Sequence, residues 1–181
     1  MNTSSTQTQV ILVDKNDKII GYKEKVLAHK YPLPLHRAIS VVVFDKRGRK
    51  ILLQKRAAGK PTWPLFWSNT CCTHPLKGEL YKKAAERRLR EEMGFSAPLT
   101  KKFKFLYKAK YSSIWGEHEL DAVFVGNYEG KISPDPKEVA DYKWMKIEDL
   151  LRDVRENPDI YSPWFKIILK KLHLNRTRRT L

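Results

Sequence analysis

"KGELYKKAAERRLREEMGF" occupies residues 77–95, and its reading decides the fold. Leu80, Ala84, Leu89 and Met93 recur at helical spacing, and Gly94 stands where a helix would stop. Arg88 and Glu92 are four apart and share one helix face. On an arbitrary helix such a pair is a solvated surface contact. Outward from this helix the chain is mostly strand-like. "QVILVDKNDKIIGYKEK" (9–25) reads as two short strands around an Asp-Lys-Asn-Asp turn. "HRAISVVVFDKRGRKILLQKRA" (36–57) reads as a hairpin around Asp-Lys-Arg-Gly, with "YPLPL" breaking structure before it. "FKFLYKAKY" (103–111), "HELDAVFVGNY" (118–128) and "YKWMKI" (142–147) are further strand signals. "EDLLRDVREN" (148–157) and "SPWFKIILKKLHL" (162–174) read as helices. Helices and strands mix without regular alternation, so the expected class is α+β.

The 181 residues fit one domain, 1–181, with a sizeable core. Hydrophobic content of 41% and charged content of 31% belong to a soluble globular protein. No apolar run approaches the roughly 20 residues of a membrane helix. The polar opening, "MNTSSTQTQ" (1–9), lacks the apolar stretch of a secretory signal and is expected to be flexible. Two cysteines without a spaced framework point to a reducing cytosol, where Asn175 in Asn-x-Thr carries no glycosylation meaning. The formal charge of +16 invites a nucleic-acid reading. Lysine and arginine are instead spread throughout, with one local cluster in "KKLHLNRTRR" (170–179). A small anionic substrate held by a few basic side chains uses that charge better. Neither nucleic acid nor membrane is the expected partner.

"WSNTCCTHP" (67–75) gathers both cysteines beside a histidine. Ordinary disulfide geometry forbids a bridge between neighbours. A thiol here is therefore a metal ligand, a nucleophile, a proton donor or acceptor, or core filling. His74 follows Cys72 by two residues. His29 and His36 are separated by Pro32 and Pro34, which prevent one continuous helix. In "WGEHEL", Glu117 and Glu119 point to one face of a strand and His118 to the other. Three imidazoles and two carboxylates would suit Zn²⁺, Mn²⁺ or another divalent ion. A structural zinc site at "CCTH" would want a second Cys or His pair, which the sequence does not supply.

Glu79, Arg87, Glu91, Glu92 and Gly94 are spaced as in the Nudix signature, whose carboxylates hold divalent cations on diphosphates. Thr73 replaces its first glycine, and Arg88 the first glutamate of its Arg-Glu pair. Taken with "LPLHRAIS", "KRAAGKPTWPLFWSNTCCTHP", "GEHELDAVF" and "YSPWF", in that order, the chain resembles type I isopentenyl-diphosphate delta-isomerases over about residues 10–170. The resemblance implies a Nudix-like mixed sheet flanked by helices. It also implies interconversion of isopentenyl and dimethylallyl diphosphate in isoprenoid precursor synthesis. The runner-up, a Nudix hydrolase of another diphosphate, should keep the full signature. A noncatalytic RNA-binding module would leave the His/Glu set unexplained.

Carried over position by position, the resemblance implies Cys72 and Glu119 as catalytic residues, assisted by Tyr107, with Cys71 as packing. It implies Lys25, Arg56, Lys60, Thr73 and Arg88 as diphosphate contacts, and Trp164 beside the reacting carbons. His29, His36, His74, Glu117 and Glu119 match the ligands of a divalent-metal site, Mn²⁺ or Zn²⁺. Glu92 matches the carboxylate that helps place Mg²⁺ on the diphosphate. Which of Cys72 and Glu119 donates the proton is open at this point.

Overall fold

His36–Phe44 forms β3, whose side chains are buried almost without interruption, as in a strand covered on both faces. The structure is a computed structural model that describes residues 9–174. Before β3 lie β1 (Gln9–Val13), β2 (Ile19–Glu24) and one helical turn, α1 (Lys25–Ala28). After it come β4 (Lys50–Arg56), β5 (Trp67–Ser68), β6 (Cys71–Thr73) and α2 (Tyr81–Met93). The chain continues through β7 (Thr100–Lys110), β8 (Gly116–Asn127), β9 (Val139–Lys146), α3 (Ile147–Glu156) and α4 (Pro163–Lys171).

The sheet is mixed. β3 runs parallel to β8, from His36 opposite Glu119 to Phe44 opposite Asn127. On its other edge β3 meets β6 antiparallel, with Ser40 opposite Cys72. The expected hairpin over 36–57 is therefore only nominal. β3 and β4 pair at Phe44 opposite Ile51, after which β4 pairs along its length with β9. A two-stranded ribbon could not cover a strand that is apolar on both faces, whereas a central position can.

Alternate residues of these strands feed two cores. Ile39, Val41, Cys71 and Phe124 pack with Ala84, Leu89 and Met93 of α2. Val42, Leu53 and Val123 pack with Leu150 of α3 and with Trp164, Phe165 and Ile168 of α4. The buried stripe of α2 is Ala84, Ala85, Leu89, Glu92 and Met93, so a carboxylate occupies one core position. Leu80, expected in that stripe, precedes the helix and is 71% exposed. Gly94 ends α2 at φ 74, and a Cβ there would lie 2.3 Å from the Ser133 carbonyl oxygen. Only glycine fits.

The β1–β2 turn is tied to the α2 side through Asp17. Its carboxylate accepts from Arg37 Nε (2.7 Å), Tyr81 OH (2.9 Å) and Lys104 Nζ (2.6 Å). Burial works against the Asp17 charge, but these donors outweigh it and lower its pKa. Gln9 already pairs with Glu24, so the expected flexible segment loses its last residue. Residues 1–8, Asn175 and the end of the basic cluster lie outside the described residues. No helix among the described residues is long and apolar enough to cross a membrane.

Candidate active site

Strand register assembles the site. His36 lies opposite Glu119, Ala38 opposite Asp121, and Ser40 opposite Cys72; Tyr107 of β7 lies opposite Glu119 as well. Even-numbered residues of this part of β3 therefore share one face with Cys72, Tyr107, Glu117 and Glu119. Cys71 turns the other way into the α2 core, as pure packing. His118 also turns away, its Nδ1 at 2.9 Å from the Leu33 carbonyl.

His29, His36 and His74 cluster with ring centroids 4.9–5.0 Å apart. His29 Nδ1 donates to the Lys25 carbonyl (2.7 Å) and His36 Nδ1 to the Pro34 carbonyl (2.9 Å). A carbonyl only accepts, so in each neutral ring the bare nitrogen is Nε2. These bare nitrogens face Glu119 Oε1 at 3.8 and 3.5 Å. His74 Nε2 lies 2.9 Å from the same oxygen, and buried His36 Nε2 has no hydrogen-bond partner. One donor atom from each of His29, His36, His74 and Glu119 falls within 4.8 Å of the others. Lone pairs aimed at a carboxylate repel it until a cation sits between them. The donor set of three nitrogens and one oxygen fits a divalent metal of the zinc or manganese type. Glu117 borders the group, with Oε2 3.7 Å from His29 Nε2, and accepts from Thr62 Oγ1 at 3.1 Å.

Two carboxylates on one strand are driven in opposite directions. Burial, reinforced by the charge of Glu119, pushes Glu117 up to about 8. Burial would raise Glu119 too, but the three imidazoles that face it hold it well below the usual range. Tyr107 OH donates to Glu119 Oε2 at 2.6 Å. Burial and the neighbouring carboxylates keep this phenol protonated.

Cys72 is a thiol rather than a thiolate: burial pushes it to about 12, although Arg56 opposes the shift. Arg56 Nη1 lies 3.9 Å from Cys72 Sγ. Its guanidinium is fixed by the carbonyls of Trp63 (3.0 Å) and Thr62 (2.9 Å). That loop holds Trp63 and Leu65 at φ 44 and 62, left-handed positions sustained only by their surroundings. The Trp164 ring lies 5.1 Å from the Arg56 guanidinium and packs edge-on to Trp63 at 5.5 Å. Trp164 Nε1 donates to Asn69 Oδ1 (3.0 Å), while Asn69 Nδ2 donates to the carbonyls of Cys71 (2.7 Å) and Val41 (3.1 Å). Asn69 thus ties the aromatic wall to the strand that carries Cys72. Within "WSNTCCTHP" nothing in the sequence marks Asn69 for this role.

Lys25, Arg56, Lys60, Thr73, Arg88, Glu92 and Trp164 line one cavity of about 160 Å³ with Cys72, Tyr107, Glu119, His29 and His74. Every sequence-derived site residue except His36 lines it, Glu117 included; fully buried His36 lies behind the wall, against Glu119. Glu92 is 2% exposed and stands outside the imidazole group. It accepts from Arg88 Nε at 3.1 Å, and burial raises its pKa against the pull of Arg88. Arg87 instead grips Glu79 through two 2.8 Å hydrogen bonds and reaches Glu91 at 3.1 Å. Sequence reasoning missed Thr62 and Glu138, which sit in loops without periodicity.

The NUDIX domain family matches residues 34–165. DR0079 from Deinococcus radiodurans superposes with a TM-score of 0.76 at 14% identity, covering 91% of this chain and 99% of that one. The MutT protein of Methanosarcina mazei Go1 gives 0.65 at 14% identity, over 80% and 96% of the two chains. At such identities the likeness concerns the fold. "Isopentenyl-diphosphate Delta-isomerase 2" of Aromatoleum aromaticum is 46% identical over 92% of this chain and 87% of that protein. "Isopentenyl-diphosphate Delta-isomerase" of Serratia proteamaculans is 42% identical over 94% of each chain. This chain belongs to the isopentenyl-diphosphate delta-isomerases. Within that family assignment, Lys25 and His29 precede the matched NUDIX region. The helical turn α1 and its cap, before β3, thus add to the NUDIX fold and complete its cavity.

Proposed function

We propose that this cavity interconverts isopentenyl and dimethylallyl diphosphate, a 1,3-allylic shift in isoprenoid precursor synthesis. One observation carries the reading: a protonated thiol and a charged carboxylate share a face beneath an aromatic wall, and the same cavity is lined by Lys25, Arg56, Lys60 and Arg88. Those four cations and Thr73 receive the diphosphate, which leaves the hydrocarbon against Trp164. Moving the double bond requires one proton added at the terminal carbon and another removed two carbons away. Cys72 and the Glu119–Tyr107 pair supply one acid and one base, and the reverse reaction exchanges their roles. The tertiary cation formed between the two transfers faces the Trp164 ring and the Glu119 carboxylate, both of which stabilise positive charge. His29, His36, His74 and Glu119, with Glu117 beside them, would hold Mn²⁺ or Zn²⁺, whose charge orients Glu119 and tunes its acidity. Glu92 would hold Mg²⁺ against the diphosphate. The same reading implies a small-molecule partner rather than nucleic acid, and a cytoplasmic setting.

Arg88 argues against hydrolysis, because it puts a cation where the signature of the hydrolases has a carboxylate. Incubation of the metal-loaded protein with isopentenyl diphosphate in heavy water should place deuterium in the dimethylallyl product without releasing phosphate. Phosphate or a monophosphate in place of a labelled isomer would overturn the reading.

A further inference from the structure

Two cations assigned to the diphosphate, Lys60 and Arg88, are bridged by one carboxylate oxygen, while Arg88 also holds Glu92. Glu138 Oε2 accepts from Lys60 Nζ and, at 2.5 Å, from Arg88 Nη2. The Glu138 backbone is pinned, since its carbonyl accepts from Ala57 N at 3.0 Å and buried Val139 follows at the start of β9. Its side chain is not: it is 25% exposed. It also borders a second, polar pocket of about 410 Å³, which shares Lys25, Thr73 and Arg88 with the catalytic cavity. The carboxylate therefore has space into which it can withdraw. Lys25 has no carboxylate partner of its own among the described residues, so the free site is divided between occupied and unoccupied cations.

We propose that Glu138 stands in for a phosphate oxygen in the free protein and must be displaced from Lys60 and Arg88 before an anion can bind. The inference rests on the reading that these two cations meet the diphosphate. Displacement lowers the apparent affinity of every anion by the fraction of time the cations are free. A diphosphate also reaches Lys25 and Arg56 and still binds. A lone phosphate, which cannot span them, is kept out at ordinary concentrations. Glu138 thus sets a charge threshold for admission, a role separate from proton transfer. If it instead helped Glu92 carry a cation on the substrate, its loss would weaken binding.

Isothermal titration of inorganic diphosphate and of inorganic phosphate, each with Mg²⁺, separates these cases. Glu138→Gln should tighten both by about tenfold, and should lower KM for isopentenyl diphosphate more than it changes kcat. Glu138→Asp keeps the charge but withdraws it by one methylene, and should fall between; it also serves if the glutamine variant does not fold. Unchanged or weakened binding in these variants overturns the proposal. Lys60→Ala tests the underlying reading separately, because it should weaken diphosphate binding. Equal affinity in Lys60→Ala and the parent would remove Lys60 from the diphosphate site, and the threshold with it.

Discussion

The two faces of the central sheet are cut from the same strands, yet one is packed throughout and the other opens from its core into a reaction chamber. Cys71 and Cys72 show the division at its sharpest. Cys71 sits among Ile39, Val41 and α2, whereas Cys72 looks across at Arg56 and the aromatic wall. The difference extends to polar satisfaction. On the chamber side, buried His36 Nε2, His74 Nδ1 and Asp121 Oδ1 lack hydrogen-bond partners. Ser40 Oγ donates to the other Asp121 oxygen at 2.8 Å, which leaves Oδ1 alone. Gln54 Oε1, beside Glu92 of α2, is a fourth such atom among the described residues. Such unpaired groups are destabilising, and all four belong to or touch residues that line the cavity. The α2 side supplies the opposing stability.

Exchanging single atoms across this divide should separate turnover from folding. Cys72→Ala should lower turnover at saturating substrate by about 10²–10⁴-fold, the range for losing an acid–base group. Cys71→Ala should leave turnover nearly intact and instead cost about 1 kcal/mol of stability for the small cavity it opens, read from chemical denaturation. Equal losses of activity in both variants would erase the distinction.

The chamber can be probed further through its divided carboxylates. Glu117 lies near 8, raised by burial and by Glu119, so below that pH it is largely protonated and a poor ligand. Metal affinity, measured by competition with a chelator, should rise as pH increases through about 8. In Glu117→Gln that rise should vanish, because an amide does not titrate. A retained pH dependence would locate the titrating group elsewhere.

The smallest effect on activity belongs to the packed side. Asp17→Asn keeps a residue type that tolerates φ 68 but removes the charge that Arg37 and Lys104 grip. It should cost about 2 kcal/mol of stability at neutral pH, with turnover unchanged. The native pKa of Asp17 is lowered, so its contribution is present above the ordinary carboxylate value of 3.8 and lost as pH falls through its native pKa. The gap between parent and variant in thermal midpoint should therefore close in acid. A constant gap would mean that the hydroxyl of Tyr81, rather than charge, carries the contribution.

Much of this division could be read from the residues. Periodicity gave α2 and its glycine stop, and alternation gave the shared face of Glu117 and Glu119. Other parts could not be read that way. β6 is three residues long, too short for its alternation to reveal which cysteine turns inward, so their assignment rested on family resemblance. The imidazole cluster depends on the end of α1 bringing His29 beside β3 and β8, contacts with no local signal. Glu138 lies in a proline-rich loop whose only periodicity is absence of one. Leu80 misled because a leucine one position before a helix looks like part of its stripe.

The parallel pairing of His36 with Glu119 joins residues 83 positions apart (119 minus 36). During synthesis at roughly 5–20 residues per second, β3 would wait about 4–17 s for its partner strand. Until β8 is made, a strand apolar on both faces is shielded only by elements already translated, among them β4, β6 and α2. The chain is therefore expected to bury its scaffold while still being made and to close its chamber afterwards. Trp164, the aromatic wall, is translated after every other side chain placed in the cavity. A ribosome stalled before α4 would present the cysteine, the histidines and the cations with no roof.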